Sequence, residues 1–284
     1  MRTWVFSFVF LFSVTIQGWS QTWEVGLSGG VTHYVGDLNP TFHFRFPHPA
    51  GSVFGKRNFG KHWSVRAAFT YGRVSADDAD GLFDHQLVRN LRFQSDIFEM
   101  HAAVEFNFFP YRPGDPETKK FTPYLFLGVG GFYFNPQTYF NDELVNLQPL
   151  GTEGQQTVSK ADQYPYSLFQ PCIPFGMGIK WSFHERFSLG LEWGMRLLFT
   201  DYLDDVSGTY GDEGQIYTIR GLTAAELSDL SQSPYHEIPN TGFQRGTPTD
   251  NDWYSYLGLS LSYNIKDPSS CYSYKRNWTR KRKQ

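Results

Sequence analysis

Eight stretches of this chain alternate apolar residues with small or polar ones, and the connections between them alternate short and long. Between Phe98 and Phe108, one parity holds Phe98, Met100, Ala102, Val104, Phe106 and Phe108, and the other holds Glu99, His101, Ala103, Glu105 and Asn107. Successive side chains of a strand point to opposite faces, so this strand has one oily face and one ionisable face. A soluble sheet could bury the oily face but would seldom need eight such strands with aromatic ends. The pattern predicts an all-β chain, an eight-stranded antiparallel transmembrane β-barrel of the outer membrane with long extracellular loops.

The strands are predicted at Thr22 to Tyr34, Ala50 to Phe59, Trp63 to Val74, Ile97 to Phe109, Thr122 to Phe134, Ser167 to Trp181, Phe187 to Phe199 and Trp253 to Ile265. Most exceed the roughly 9–11 residues that cross a bilayer at a tilt. The second is the least regular, because Gly55-Lys56-Arg57 interrupts its alternation. The connections after strands two, four and six are short or proline-rich, and those after one, three, five and seven are long and polar. Outer-membrane barrels put short turns in the periplasm and long loops outside, and an even strand count returns both termini to the periplasm. Aromatic residues fit this placement. Trp23, Trp63, Phe108, Phe121, Trp181, Phe187 and Tyr263 fall at one set of strand ends, and Tyr71, Tyr133, Phe199 and Trp253 at the other. Amphipathic rings favour both membrane interfaces. The competing soluble fold, a β-sandwich or lipocalin-like barrel, gives no reason for rings at strand ends.

The N-terminus carries Arg2, an apolar stretch from Trp4 to Ile16, and then Gly18-Trp19-Ser20. This reads as a signal peptide over residues 1–20, followed by a barrel over 21–265 and a basic periplasmic tail over 266–284. A net charge of −3 over 284 residues gives no reason to expect nucleic-acid binding. The mean hydropathy of −0.43 suits a barrel, in which only alternate residues meet lipid.

The inward parity collects Glu24, Arg66, Glu99, His101, Glu105, Lys180, Glu192 and Arg196, together with Gly26, Gly128, Gly176, Gly178, Gly190 and Gly194. Eight strands enclose a space just wide enough for side chains to fill. The expectation is an ion-paired plug without an open channel, with Glu192 and Arg196 each pairing to a neighbouring strand. His101 could belong to a catalytic or metal site. The plainer reading, a hydrogen-bonded lumen histidine, is preferred because no His or Cys pair has zinc-ligand spacing. There is no Gly-x-Ser-x-Gly elbow, phosphate loop or His-Glu-x-x-His run. No enzyme, cofactor or small-molecule substrate is expected.

Asp201, Asp204 and Asp205 form one acidic patch and Asp77, Asp78 and Asp80 another. Without EF-hand spacing, each is expected to be a solvated loop edge rather than a calcium site. Thr200 to Asp252 is long enough to signal function or disorder. Within it, Thr223-Ala224-Ala225-Glu226 suggests a capping box opening a short helix toward Leu230. Cys172 should face inward near the outer end of its strand, whereas Cys271 follows the last strand, too far away for the two to bond.

Several phrases resemble a known family: Tyr34-Val35-Gly36-Asp37-Leu38-Asn39, Phe69-Thr70-Tyr71-Gly72-Arg73, Asn107-Phe108-Phe109-Pro110-Tyr111, Phe121-Thr122-Pro123-Tyr124, Leu147 to Gly154, and Phe199 to Gly208. As an ordered set spread over nearly the whole mature chain, they resemble the PorG family, the small outer-membrane barrel of the type IX secretion system of Bacteroidetes. The resemblance implies a scaffold that holds a periplasmic ring, built of a lipoprotein and a partner subunit, against the outer membrane. It also implies a part in gliding motility where the host glides. Cys271, Arg276 and Arg280 in the basic tail are the candidate partner contacts, with a Cys271 bridge to the ring lipoprotein as the sharpest version. A passive pore, an outer-membrane enzyme and a surface adhesin are the competing readings.

Overall fold

In a computed structural model the described residues are 21–41, 46–113, 115, 117–231 and 239–265. The predicted signal peptide and the tail with Cys271, Arg276 and Arg280 therefore lie outside them. The main strands are β1 (Gln21–Val35), β2 (His48–Phe59), β3 (Trp63–Asp77), β4 (Arg92–Asn107) and β5 (Phe121–Phe140), then β7 (Phe169–Ser182), β8 (Phe187–Leu198) and β9 (Trp253–Ile265). Each pairs antiparallel with its neighbour. The β1–β9 and β4–β5 pairings close the sheet into an eight-stranded barrel with no free edge. A short β6 (Glu143–Asn146) pairs only with the far end of β5.

The alternation decides which face is which. On β4, Phe98, Met100, Ala102 and Val104 are exposed, while Glu99, His101, Ala103 and Glu105 are buried. Exposed Leu27, Val53, Phe69, Leu127, Val129, Met177, Leu191 and Leu259 continue the apolar wall around the cylinder. A contiguous surface of this size suits lipid, not water. Its upper border is sharp. Tyr71, Phe98 and Tyr133 form a row across three strands, with ring centroids 5.1 and 6.4 Å apart. Two residues further on, the same face carries Arg73, Asp96 and Asn135, with Arg73 Nε donating to Asp96 at 2.7 Å. At the other border Trp23, Trp63 and Trp181 are half-exposed. Trp253, at the upper end, is less exposed and meets Phe175 edge-on.

β4 begins five residues before the predicted Ile97, and β5 runs six beyond Phe134. The apolar alternation ends where the outward residues turn polar, but the hydrogen-bond ladder continues above the membrane border. The helices are α1 (Asp84–Arg89), α2 (Glu213–Arg220) and α3 (Leu222–Ser228). α3 is the helix expected in the last loop, without its capping box. Its N-cap is Gly221, no side chain caps it, and Thr223 already lies inside the helix.

Candidate functional site

The lumen holds the predicted charge network. Glu24, Arg66, Glu99, His101, Glu105, Lys180, Glu192 and Arg196 are all buried. Glu105 is its hub, with its Oε2 2.5 Å from Lys180 Nζ and 3.6 Å from Lys56 Nζ, and its Oε1 3.4 Å from Arg66. Glu24 takes Lys56 at 3.4 Å, and Glu99 takes Arg196 Nε at 2.9 Å and His101 Nδ1 at 2.5 Å. Arg66 also grips Glu192 with both terminal nitrogens. Four carboxylates thus face four lysine or arginine side chains.

Two expectations need correction. Arg66–Glu192 joins β3 to β8, and Arg196–Glu99 joins β8 to β4, so these pairs cross the lumen instead of bridging neighbouring strands. An eight-stranded interior is narrow enough for long side chains to meet across it. Lys56 was absent from the predicted network, yet it is buried and pairs with two glutamates. Gly55 and Arg57 obscured its parity. The eight predicted residues include four acids but only three lysines or arginines, which is the signal for a missing base.

Aromatic rings fill the remaining space. The Tyr124 hydroxyl donates to Glu192 at 2.6 Å, and the Tyr254 hydroxyl donates to Glu99. The Phe126 ring lies where a Cβ on Gly194 would come within 2.7 Å of it, so the inward glycines make room for these rings. Two cavities of about 20 and 10 Å³ are found in the lumen, each the size of one water.

Both mouths are also closed. At the short-turn end the β4–β5 connection folds back, and buried Tyr111 donates to Ser188 Oγ at 2.9 Å. At the long-loop end an apolar cluster including Tyr34, Phe93, Phe132, Phe134, Leu198 and Leu203 forms a second core, with Cys172 buried in it as expected.

Above this core the four long connections meet in a folded cap. Arg89 of α1 pairs with Asp78 through two nitrogens and donates to the carbonyls of Asp37 and Arg245. Arg245 donates to the Asp205 carbonyl at 2.6 Å and to Glu153 at 3.3 Å. Glu153 also accepts from the amides of Ser207 and Gly208. Asp205 accepts from Thr152 and Tyr166 at 2.5 and 2.6 Å, and the Tyr166 ring stacks on Tyr202 at 4.7 Å. Asp78, Asp201, Asp204 and Asp205 are therefore buried, which overturns the solvated-edge reading for them; only Asp77 and Asp80 of those patches stay at the surface. Burial pushes the Asp201 carboxyl up to about 8 and that of Asp205 up to about 6. Among the described residues no three His, Cys, Asp or Glu side chains converge to hold a metal ion. Three of the phrases behind the family resemblance, around Asp37, Glu153 and Asp201–Gly208, meet inside this cap.

Gly36 tests the cap's packing. A Cβ there would overlap the Asp252 carboxylate and the Tyr34 hydroxyl. Gly36→Ala should destabilise the cap by about 1–3 kcal/mol, seen as faster hydrogen exchange over residues 199–208 while the barrel strands stay protected.

The family model described as "Domain of unknown function (DUF6089)" matches residues 3–223. No curated protein matches the chain. Among solved structures, the attachment invasion locus protein Ail of Yersinia pestis is 8% identical with a TM-score of 0.38, covering 86% of this chain and 97% of its own. Neisserial surface protein A is 8% identical at 0.40, covering 85% and 96%. A major outer membrane protein of Thermus thermophilus is 11% identical at 0.40, covering 87% and 100%.

Proposed function

This chain belongs to the DUF6089 family of domains of unknown function, and from that premise we propose that it is a non-enzymatic outer-membrane scaffold of the type IX secretion machine. In this reading the short-turn end and both termini face the periplasm, and the cap faces outward. The barrel tethers the periplasmic ring of lipoprotein and partner subunit to the outer membrane, and supports gliding where the host glides. The type IX assignment rests on the ordered phrases that resemble the PorG family. The observation that favours tethering over transport is the lumen, filled by crossing ion pairs and aromatic rings, with water-sized cavities. A pore would need a continuous aqueous path.

Affinity purification from crosslinked membranes tests the assignment. Recovery of the ring lipoprotein and its partner subunit is expected. Cys271→Ser should remove any reducible adduct with the lipoprotein, and Arg276→Ala with Arg280→Ala should lower ring recovery. Repeated absence of ring subunits from a folded, membrane-inserted barrel contradicts the scaffold. Surface attachment is the second reading, favoured by exposed Tyr217, Leu222 and Phe243 on the cap. Replacing them with serine would abolish attachment in that case and leave secretion intact.

A further inference from the structure

The cap has a charge imbalance that its hydrogen bonds do not relieve. Six acids (Asp78, Glu153, Asp201, Asp204, Asp205 and Asp252) are buried there, against two buried arginines, Arg89 and Arg245. The arginines serve three of the six, Arg89 pairing with Asp78 and Arg245 with Glu153 and, at 4.0 Å, Asp205, which leaves Asp201, Asp204 and Asp252 without an arginine at ion-pair distance. No convergent metal-ligand set stands in for the missing positive charge among the described residues.

The imbalance is sharpest at Tyr34. Its hydroxyl lies 2.5 Å from Asp204 Oδ2 and 2.9 Å from Asp252 Oδ1. The other oxygens of those carboxylates accept from the backbone, Asp204 Oδ1 from Val206 N–H and Asp252 Oδ2 from Leu203 N–H, each at 2.9 Å. A phenol has one hydrogen to donate, and here two carboxyl oxygens claim it. Sharing that one hydrogen would leave two buried carboxylates facing each other across the hydroxyl, whereas a proton on Asp204 or Asp252 gives each contact a full hydrogen bond.

We propose that Asp204, Tyr34 and Asp252 together hold one extra proton at neutral pH, and that this shared proton latches the end of β1 and the last long loop over the barrel mouth. The surroundings support it. Asp37 from the first loop and Asp201 from the last face Asp204, and Asp201 also faces Asp252, so like charges oppose ionisation. Arg89 of α1 lies within electrostatic reach of Asp204, but it is already paired with Asp78. Glu153 and Asp250 add negative charge beside Asp201. Burial and these neighbours raise both carboxyls well above the ordinary carboxylate range.

The direction of the pH effect follows. A carboxyl that keeps its proton in the closed cap and loses it when the loop opens favours closure most at low pH. That preference falls as pH rises above the ordinary carboxylate value of about 4 and is gone above the raised one. Alkalinity therefore loosens the latch, by up to about tenfold in opening equilibrium per pH unit for each proton released.

Infrared spectroscopy of the full-length barrel in detergent, combined with hydrogen exchange corrected for intrinsic rate, decides the matter. At pH 7 the wild type should show the carbonyl stretch of protonated carboxyl groups, with part of it lost in Asp204→Asn and in Asp252→Asn. Asp201→Asn should remove a separate part. Protection of residues 199–208 should fall between pH 6 and pH 9 in the wild type, and less steeply in Asp204→Asn and Asp252→Asn. A band unchanged in both asparagine variants, or a wild-type band absent at pH 7, overturns the proposal. Should the variants fail to fold, wild-type exchange independent of pH over the same range overturns it equally.

Discussion

Glu105→Gln should cost the barrel about 3–5 kcal/mol, the penalty of leaving a buried charge without its partner. Glu105 is the acid that Lys180, Lys56 and Arg66 share. Lys56 retains Glu24 and Arg66 retains Glu192, but Lys180 would lose the carboxylate it pairs with and keep neutral partners, the new amide oxygen, the Asn107 side-chain oxygen at 3.1 Å and the face of the Tyr124 ring at 3.9 Å. Removing the stranded cation as well, in Glu105→Gln with Lys180→Met, should recover most of the loss. The large cost of breaking a buried pair comes from the charge left without a partner, and the double variant leaves none at Lys180. Denaturant unfolding in detergent micelles measures both variants. Equal losses in the single and double variants would show that Lys180 is not the residue left unpaired.

The second large effect is on the other face. Leu127 is 61% exposed and points away from the lumen, between Val104 on β4 and Phe175 on β7. On a water-soluble barrel, Leu127→Arg would change stability by no more than about 0.5 kcal/mol. With lipid against that wall, it should cost about 2–4 kcal/mol, the penalty of a cation near the bilayer midplane. Arginine in place of Asn135, which faces outward beside Asp96 above the aromatic row, should cost about 0–1 kcal/mol. Reversible folding into vesicles gives both numbers, and their difference locates the membrane border.

The wall and the lumen were legible in the sequence because both follow from a period of two. Parity alone placed Glu99 and His101 inside and Met100 and Ala102 outside, as the burial pattern shows. Partners were less legible. Parity says that Glu99 faces inward but not that Arg196 reaches it from three strands away, since that depends on stagger and lumen width. The cap was least legible. Asp78, Asp204 and Asp205 look like solvated loop acids in a linear reading, because the groups that bury them are not their sequence neighbours and for Asp204 and Asp205 come largely from other connections. Arg89 is eleven residues from Asp78, but Thr152 is fifty-three from Asp205 and Tyr34 is 170 from Asp204. Loops have no period, so nothing local announces such contacts.

Single cysteines placed in turn at positions 98 to 106 of β4, with Cys172 and Cys271 replaced by serine, give the most direct test of a filled barrel standing in lipid. Each would carry a reporter read against a lipid-soluble and a water-soluble quencher in vesicles. Positions 98, 100, 102, 104 and 106 should respond to the lipid-soluble quencher alone, and positions 99, 101, 103 and 105 to neither. Quenching of the even positions from water would contradict a lipid-facing wall, and quenching of the odd positions from water would contradict a sealed lumen.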